Sequence, residues 1–390
     1  MPLYRRTAYA FLYCHDTGFV DIGLLLRGTV KPLALRRVLG LSALTGRARQ
    51  VSRGELDLFL RVPNGEWTEA PEGEEARCET LARKGLLVSD ADEEELVELR
   101  RRDDVLGKSQ WHVFAALYHF LTKWQGADVW HELPEAELAA TEAELLRRWG
   151  KPPPPFHSRG GAAFSLPSPV RNGPLYDLLD RRRTTRGFDP AHSMSLDELS
   201  VLLHYTFGCR AYARLEADLV VLRKTSPSGG GLHPTEAYPV VRDVDGLEPG
   251  IYHYDAGRHA LETVATLSAE EVRDLATHLA AGQPYAGDAH AVVVLTSRFI
   301  RSFWKYRQHD RAYAVLLMDA AHLSQTFYLV CAELGLGAFV TAAINSSDAE
   351  ERLGLDGFSE GAVAVCGCGK PARSPLDLEF LPYVPGETTL

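Results

Sequence analysis

The rhythm of apolar and polar positions changes near the middle of the chain. Before residue 151 the spacing is mostly helical. Residues 31–62 carry apolar positions at intervals that predict helix. The stretch RCETLARKGLLVSD (77–90) predicts a helix ending at Gly85, followed by a short strand. In SQWHVFAALYHFLTKW (109–124), Trp111, Phe114, Tyr118, Phe120 or Leu121, and Trp124 form an aromatic stripe, the pattern of a helix face turned into a core. EAELAATEAELLRRWG reads as a charged surface helix closed by Gly150.

After residue 161 strands and helices mix. SMSLDELSVLLHYTFG opens with Ser195 and Glu198 at capping-box spacing and stops at Gly208. DLVVLRK, AYPVVRDV, GIYHYD, ALETV, AVVVLTSRF and AVAVCG read as strands, and the turns DVDGLEPG and DAGR join three of them into a meander. A long apolar helix, RAYAVLLMDAAHLSQTFYLVCAELG, precedes the last strand and ends at Gly335. Strands and helices do not alternate strictly, so the fold class is α+β. KPPPPFHSRGG at 151–161 is a stiff proline run loosened by glycines. It divides the chain into an N-terminal region at 1–150, a linker at 151–174 and a larger domain at 175–390. In the first region the order helix, Lys-Gly, Leu-Leu-Val is common in winged-helix modules. Such a module binds DNA, binds a peptide, or simply packs, and its acidic EGEEARCE segment argues against DNA.

Composition narrows the function classes. With 390 residues, 45% hydrophobic and 24% charged, the chain has room for two domains and a sizeable core. A net charge of −10 argues against a general nucleic-acid or anionic-membrane binder. The N-terminal apolar stretch is too short and punctuated for a signal peptide, and no run of 18 apolar residues occurs, so a cytoplasmic location is expected. Six scattered cysteines form neither a pair of zinc knuckles nor a disulfide framework, and Cys366 and Cys368 read as small strand residues.

Three stretches carry candidate chemistry. RRRTTRGFDP (181–190) gathers arginines and two threonines. This is either a solvated helix end, where cations favour the dipole, or a set of guanidinium forks for phosphate oxygens. KTSPSGGGLHPTEAYP (224–239) places three glycines after a strand, yet continues into neither G-K-[ST] nor G-x-G-x-x-G, so it is not a nucleotide phosphate loop. Lys305-Tyr306 follows Phe303 and Trp304 at what reads as a strand end. His233 and Glu236 resemble an acid/base pair, with turn and cap roles as the plainer reading; His322 reads as an interior residue. His309-Asp310 lacks the further ligands a metal site needs, so no metal is expected.

Arg182, Arg183, Thr184, Arg186 and Phe188 match R-R-[ST]-x-R-x-F, which resembles the opening of nitroreductase-fold flavoproteins. PSGGGLHPTEAY, the Lys-Tyr pair in FWKYRQHDRAY, and MDAAHLSQTFYLVCAELGLG resemble more specifically the SagB-type dehydrogenases. These are FMN-dependent oxidases found with ribosomal peptide-modification clusters, including thiazole- and oxazole-forming ones. The resemblance spans about residues 175–370. It implies a nitroreductase-like FMN-binding fold preceded by a smaller, mainly helical, winged-helix-like domain.

Carried over to this chain, the resemblance puts Arg182, Thr184 and Arg186 on the phosphate, ribityl chain and ring edge of FMN. Pro227, Ser228 and Gly229 would meet the isoalloxazine, since glycine lets backbone approach a flat ring. Ala342 and Ala343 in GLGAFVTAAIN would touch the same ring, and Lys370 or Arg373 would complete the phosphate site unless both are merely solvated. Lys305 and Tyr306 would be catalytic. Oxidising a thiazoline or oxazoline removes a Cα proton while hydride leaves to flavin N5. A lysine serves as the base if burial, or cations such as Arg301 and Arg307, lower its pKa. Tyr306 would relay the proton or orient the substrate ring. The implied partners are a precursor peptide, cyclodehydratase-type enzymes and a second copy of the chain, with the flavin at the subunit interface. Two departures stand out: Arg311-Ala-Tyr313-Ala lacks the family's second arginine, and Asp319-Ala-Ala-His322 has alanine where glycine is usual. An NAD(P)H-fed reductase of small electrophiles and a flavin-free peptide scaffold are the competing readings.

Overall fold

The computed structural model describes residues 1–19, 33–131, 146–148, 150–156, 159–161, 164, 166–167, 171–216, 219–376, 378 and 380. The charged helix expected at 135–150 lies mostly outside these residues. The chain forms two compact units. The first comprises Met1–Trp124, Ser297–Met318 and Gly354–Gly361; the second comprises Gln125–Thr296, Asp319–Leu353 and Ala362–Leu390.

In the first unit, the strand Leu3–Arg6 pairs antiparallel with Thr68–Glu69 on one side and Leu87–Ser89 on the other. Around this small sheet stand the helices Arg53–Arg61, Glu75–Arg83 and Glu94–Lys108. The first of them opens with a capping box in which Ser52 accepts from the Glu55 amide and Glu55 accepts from the Ser52 amide. The second ends before Gly85 and leads into Leu87–Ser89, as the sequence predicts. The helix expected from residue 31 does not form. Leu33–Ser42 is instead the middle strand of an antiparallel sheet between Ala10–Phe19 and Arg47–Val51. Leu39 and Leu41 fit the period of two of a strand, and pairing with Ala10–Phe19 fixes it.

The core of this unit centres on Trp111, whose ring lies 4.7 Å from Phe299, 4.8 Å from Phe303 and 5.7 Å from Phe120. Its indole N–H donates to the Phe358 carbonyl at 3.0 Å, so the buried polar end is satisfied. The helix Val113–Leu121 supplies Phe120 to this cluster, but Phe114 and Tyr118 of the predicted stripe are 58% and 59% exposed. The stripe is therefore split across two faces of the helix.

The second unit is built on a six-stranded sheet. Its order is Ala260–Thr266, Gly250–Asp255, Thr235–Val241, Ala291–Arg298, Glu360–Gly369 and Gly337–Thr341. The first three strands are the antiparallel meander predicted from their turns. Gly337–Thr341, not anticipated, is an edge strand paired antiparallel with Glu360–Gly369. The helix Leu196–Phe207 carries the expected Ser195/Glu198 capping box. Together with the long helix Ala312–Glu333 it covers the sheet, burying Leu199, Leu202, Leu323, Phe327 and Cys331. Cys366 and Cys368 are buried strand residues in the same cluster. A hairpin of Ala211–Glu216 and Leu219–Arg223, of which only the second strand was predicted, leads into the glycine loop.

Candidate functional site

The arginine segment begins where a helix ends. Pro174–Arg181 starts with proline at its first turn and gives way at Arg182 to extended backbone, φ −60° and ψ 120°. From there the chain runs between two strand ends. The Thr185 amide donates to the Ala338 carbonyl at 2.8 Å, the Asp189 amide to the Lys370 carbonyl at 2.9 Å, and the Ala372 amide to the Gly187 carbonyl at 2.9 Å. The approach is close: a Cβ on Gly187 would lie 2.6 Å from the Ala372 carbonyl oxygen and 3.1 Å from the Arg373 carbonyl carbon. Arg186 and Arg373, 187 positions apart in sequence, thus come from neighbouring strands of backbone.

Two buried tyrosines hold these arginines. The Arg182 guanidinium lies 5.4 Å from the centre of the Tyr328 ring, and that of Arg186 lies 5.8 Å from the Tyr285 ring. The Tyr328 hydroxyl is 3.1 Å from Thr184 Oγ1 and accepts from the Val340 amide at 3.0 Å. Burial raises the Tyr285 phenol, and its hydroxyl donates to Gln283 Oε1. Gln283 Nε2 in turn donates to Thr341 Oγ1 at 3.1 Å and to the Ala343 carbonyl at 3.3 Å. A polar chain therefore runs from Arg186 to Ala343, beside the exposed Ala342. Neither Tyr328, Tyr285 nor Gln283 stood out in the sequence, because each lies in an ordinary apolar or turn context.

Lys370 and Arg373 separate clearly. Lys370 is 2.5 Å from Glu198, the capping residue of the helix Leu196–Phe207, and has a structural partner. Arg373 is exposed. Among the described residues no carboxylate pairs with Arg182, Arg186 or Arg373, whereas Arg181 pairs with Glu333 at 3.2 Å. Guanidinium groups left without an acidic partner, beside a threonine hydroxyl, are the donor set a phosphate needs.

The glycine loop turns as a single helical turn, Gly229–Gly231, with Gly230 and Gly231 at φ 64° and 67°. Its start is tied to Asp319, which is 4% exposed. The Ser228 hydroxyl donates to Asp319 Oδ2 at 2.6 Å and the Gly229 amide to Oδ1 at 3.1 Å. Ser228 Oγ also accepts from the His233 amide at 3.0 Å. Burial pushes the Asp319 carboxyl upward, and the bonds from Ser228 and Gly229 draw it partly back. Pro227 is exposed beside this anchor.

His233 is buried, with Nε2 3.0 Å from the Leu222 carbonyl, and Glu236 faces His253 at 3.5 Å. His322, expected inside, is exposed; its carbonyl, not its ring, accepts from Ser226 at 3.3 Å.

Lys305 and Tyr306 belong to the first unit. They lie at the end of the short helix Phe299–Lys305, where a strand end was expected, because Phe299 and Phe303 point one way at helical spacing. Lys305 is exposed, with Nζ 5.6 Å from the centre of the Tyr306 ring, while Tyr306 packs against the Trp111 core. Nearby, the Tyr313 hydroxyl is 2.9 Å from Nδ1 of the buried His119, whose imidazole burial holds well below its usual range. His309 meets Asp310 at 3.3 Å, and no group of three metal-ligating side chains occurs among the described residues.

Comparison with known proteins agrees with this fold. Residues 179–370 match the nitroreductase family. The chain is 31% identical over 179 residues to "Putative nitroreductase MJ1384" of Methanocaldococcus jannaschii, covering 46% of this chain and 83% of that protein. It is 33% identical over 179 residues to the trifolitoxin-processing protein TfxB of Rhizobium leguminosarum bv. trifolii, covering 45% of this chain. That match spans 47% of TfxB, so this chain aligns with about half the length of that relative. In fold it is similar to a chain of the E. coli microcin synthetase McbBCD complex with truncated pro-MccB17 bound. The TM-score is 0.52 with 22% identity, covering 72% of this chain and 99% of that one. The chain belongs to the nitroreductase family, and it has the nitroreductase fold. This family implies a flavin, and the unpaired Arg182, Arg186 and Arg373 fit a phosphorylated one.

Proposed function

We propose that the chain is an FMN-dependent dehydrogenase in the maturation of a ribosomally made peptide, oxidising azoline rings to azoles. The observation that carries the cofactor half is the set of guanidinium groups at 182, 186 and 373, which have no carboxylate partner among the described residues; a glycine loop held by a buried aspartate supports it. The peptide half draws on the similarity to TfxB, a toxin-processing protein by its name.

In this reading Arg182, Thr184, Arg186 and Arg373 bind the phosphate and ribityl oxygens, and Pro227, Ser228, Gly229, Ala342 and Ala343 take the ring. FMN, when bound, supplies a two-electron acceptor. Aromatising an azoline removes two hydrogens, one as a proton and one with its electron pair. Lys305 receives the proton at Nζ, and Tyr306 orients the heterocycle or passes the proton on. Lys305 is exposed in the single chain. A precursor peptide and cyclodehydratase-type enzymes are the partners this chemistry calls for, since an azoline must be made before it is oxidised. A homodimer is proposed on the helix Pro174–Arg181, which buries none of its side chains within the chain.

The test is the absorption spectrum of purified protein, chromatography of the released chromophore, and anaerobic reduction. FMN bleached by an azoline-bearing precursor peptide and not by NAD(P)H supports the proposal. Bleaching by NAD(P)H alone replaces it with a nitroreductase-type reductase. A protein that takes up no flavin leaves only a peptide-recruiting scaffold.

A further inference from the structure

The glycine loop does not hold its shape by itself. Gly230, Gly231 and His233 all have positive φ, and at His233 the value is 47°, a conformation few side chains favour. Within the loop the Gly231 amide donates to the Ser228 carbonyl at 3.0 Å, and the Leu232 amide to the Gly229 carbonyl at 3.4 Å. What fixes its entry is a side chain on another element. Asp319, inside the long helix, takes the Ser228 hydroxyl on one oxygen and the Gly229 amide on the other. Ser228 Oγ accepts the His233 amide at the same time, so one carboxylate clamps both ends of the turn. Seven residues further along the same helix, Thr326 Oγ1 is 2.6 Å from Ser226 Oγ, a second tie on the same side.

A carboxylate is an expensive choice for a 4% exposed position in an apolar helix. Ordinary packing would be served by an aliphatic residue. Two acceptor oxygens aimed at one hydroxyl and one amide serve a different end, holding a glycine-rich backbone still where a planar ligand is to lie on it.

We propose that Asp319 is the positioning residue of the Pro227–Ser228–Gly229 platform, fixing through Ser228 and Gly229 the backbone that receives the flavin ring. The inference rests on the flavin reading above and extends it to a residue that itself stays beneath the loop.

The experiment uses the full chain with the flavin removed, and the variants Asp319→Asn, Ser228→Ala and their combination. FMN affinity is read by fluorescence titration, the bound-flavin absorption spectrum is recorded, and amide hydrogen exchange is followed over residues 227–233. Each single variant is expected to weaken FMN binding about tenfold or more. The bound-flavin bands shift, and exchange at Gly229 becomes faster. The double variant is expected to lose little beyond the worse single one, because both changes break the same clamp. Asp319→Asn that binds FMN with unchanged affinity and spectrum overturns the proposal, even if its melting temperature falls. Should Asp319→Asn fail to fold, Ser228→Ala, which removes one hydroxyl, decides by the same readouts. A wild-type chain that takes up no FMN overturns the flavin reading instead. The exchange data then judge the clamp alone, and unchanged protection of residues 227–233 in the variants overturns it.

Discussion

Two kinds of cation are separated by their partners. Lys370 and Arg181 each face a glutamate, whereas Arg182 and Arg186 lie against aromatic rings, Arg186 also meeting the Tyr285 hydroxyl, and neither pairs with a carboxylate among the described residues. Arg186→Met keeps the stem that packs on Tyr285 and removes the charge. A charge-assisted hydrogen bond contributes about 1.5–3 kcal/mol, so FMN affinity is expected to fall roughly 10- to 100-fold. Fluorescence titration reads this, with the melting temperature of the flavin-free protein unchanged. Lys305 makes a different prediction, since it is exposed and its loss removes little packing. Lys305→Met should bind FMN normally, yet lower peptide oxidation by about 10²–10⁴-fold, the usual contribution of a general base. Wild-type turnover in this variant would remove Lys305 from the chemistry. At His253, Glu236 raises the imidazole to about 9, ahead of the opposing burial and the more exposed Glu262. A pKa raised from 6.5 gives stability that is complete below pH 6.5 and lost as pH rises through about 9. His253→Gln should therefore flatten the fall in melting temperature between pH 6.5 and 9; a parallel fall in both proteins counts against the assignment.

Elements were legible where local signals were strong. The helix Leu196–Phe207 announced itself by Ser195 and Glu198, and the meander by its turns. The strand Leu33–Ser42 was misread because its register is set by Ala10–Phe19, a partner that a local window does not contain. The same limit hid the site's supports. Arg182, Thr184 and Arg186 were visible as a motif, whereas Tyr285 and Tyr328 matter only because folding carries them under those arginines. Asp319 stood in the sequence only as the first residue of Asp319-Ala-Ala-His322, and its ties to Ser228 and Gly229 appear only once the chain is folded. Asn345 shows the same dependence on distant backbone. It is fully buried; its Nδ2 donates to the Ala127 carbonyl at 2.9 Å and the His278 carbonyl at 2.8 Å, and its Oδ1 accepts the Ala127 amide at 2.8 Å. Asn345→Ala removes three hydrogen bonds to part-buried backbone groups, each contributing about 0.5–1.5 kcal/mol. Partial relaxation makes roughly 3 kcal/mol the expected loss in denaturant unfolding, and a loss under 1 kcal/mol would show that water replaces the side chain.

At the scale of the whole molecule, the helix Pro174–Arg181 is the feature a single chain does not account for. Leu175, Tyr176 and Leu179 are 59%, 45% and 45% exposed on an eight-residue helix that buries nothing. So short a helix is marginal in water without an apolar face to pack on. Leu378 and Phe380 add further exposed apolar side chains in the C-terminal segment, at 72% and 83%. The proposed second copy of the chain would cover this helix, whose last residue hands over directly to Arg182. If the two chains meet there, association and cofactor binding are linked: FMN bound only by the dimer favours it by mass action. Light scattering is expected to give a dimer whose dissociation constant falls when FMN is added. Leu175→Glu with Leu179→Glu, changing two exposed residues that cost the isolated chain little, should yield a folded monomer with FMN affinity reduced at least tenfold. A monomer that binds FMN as tightly as the wild type would break the link and confine the cofactor site to one chain.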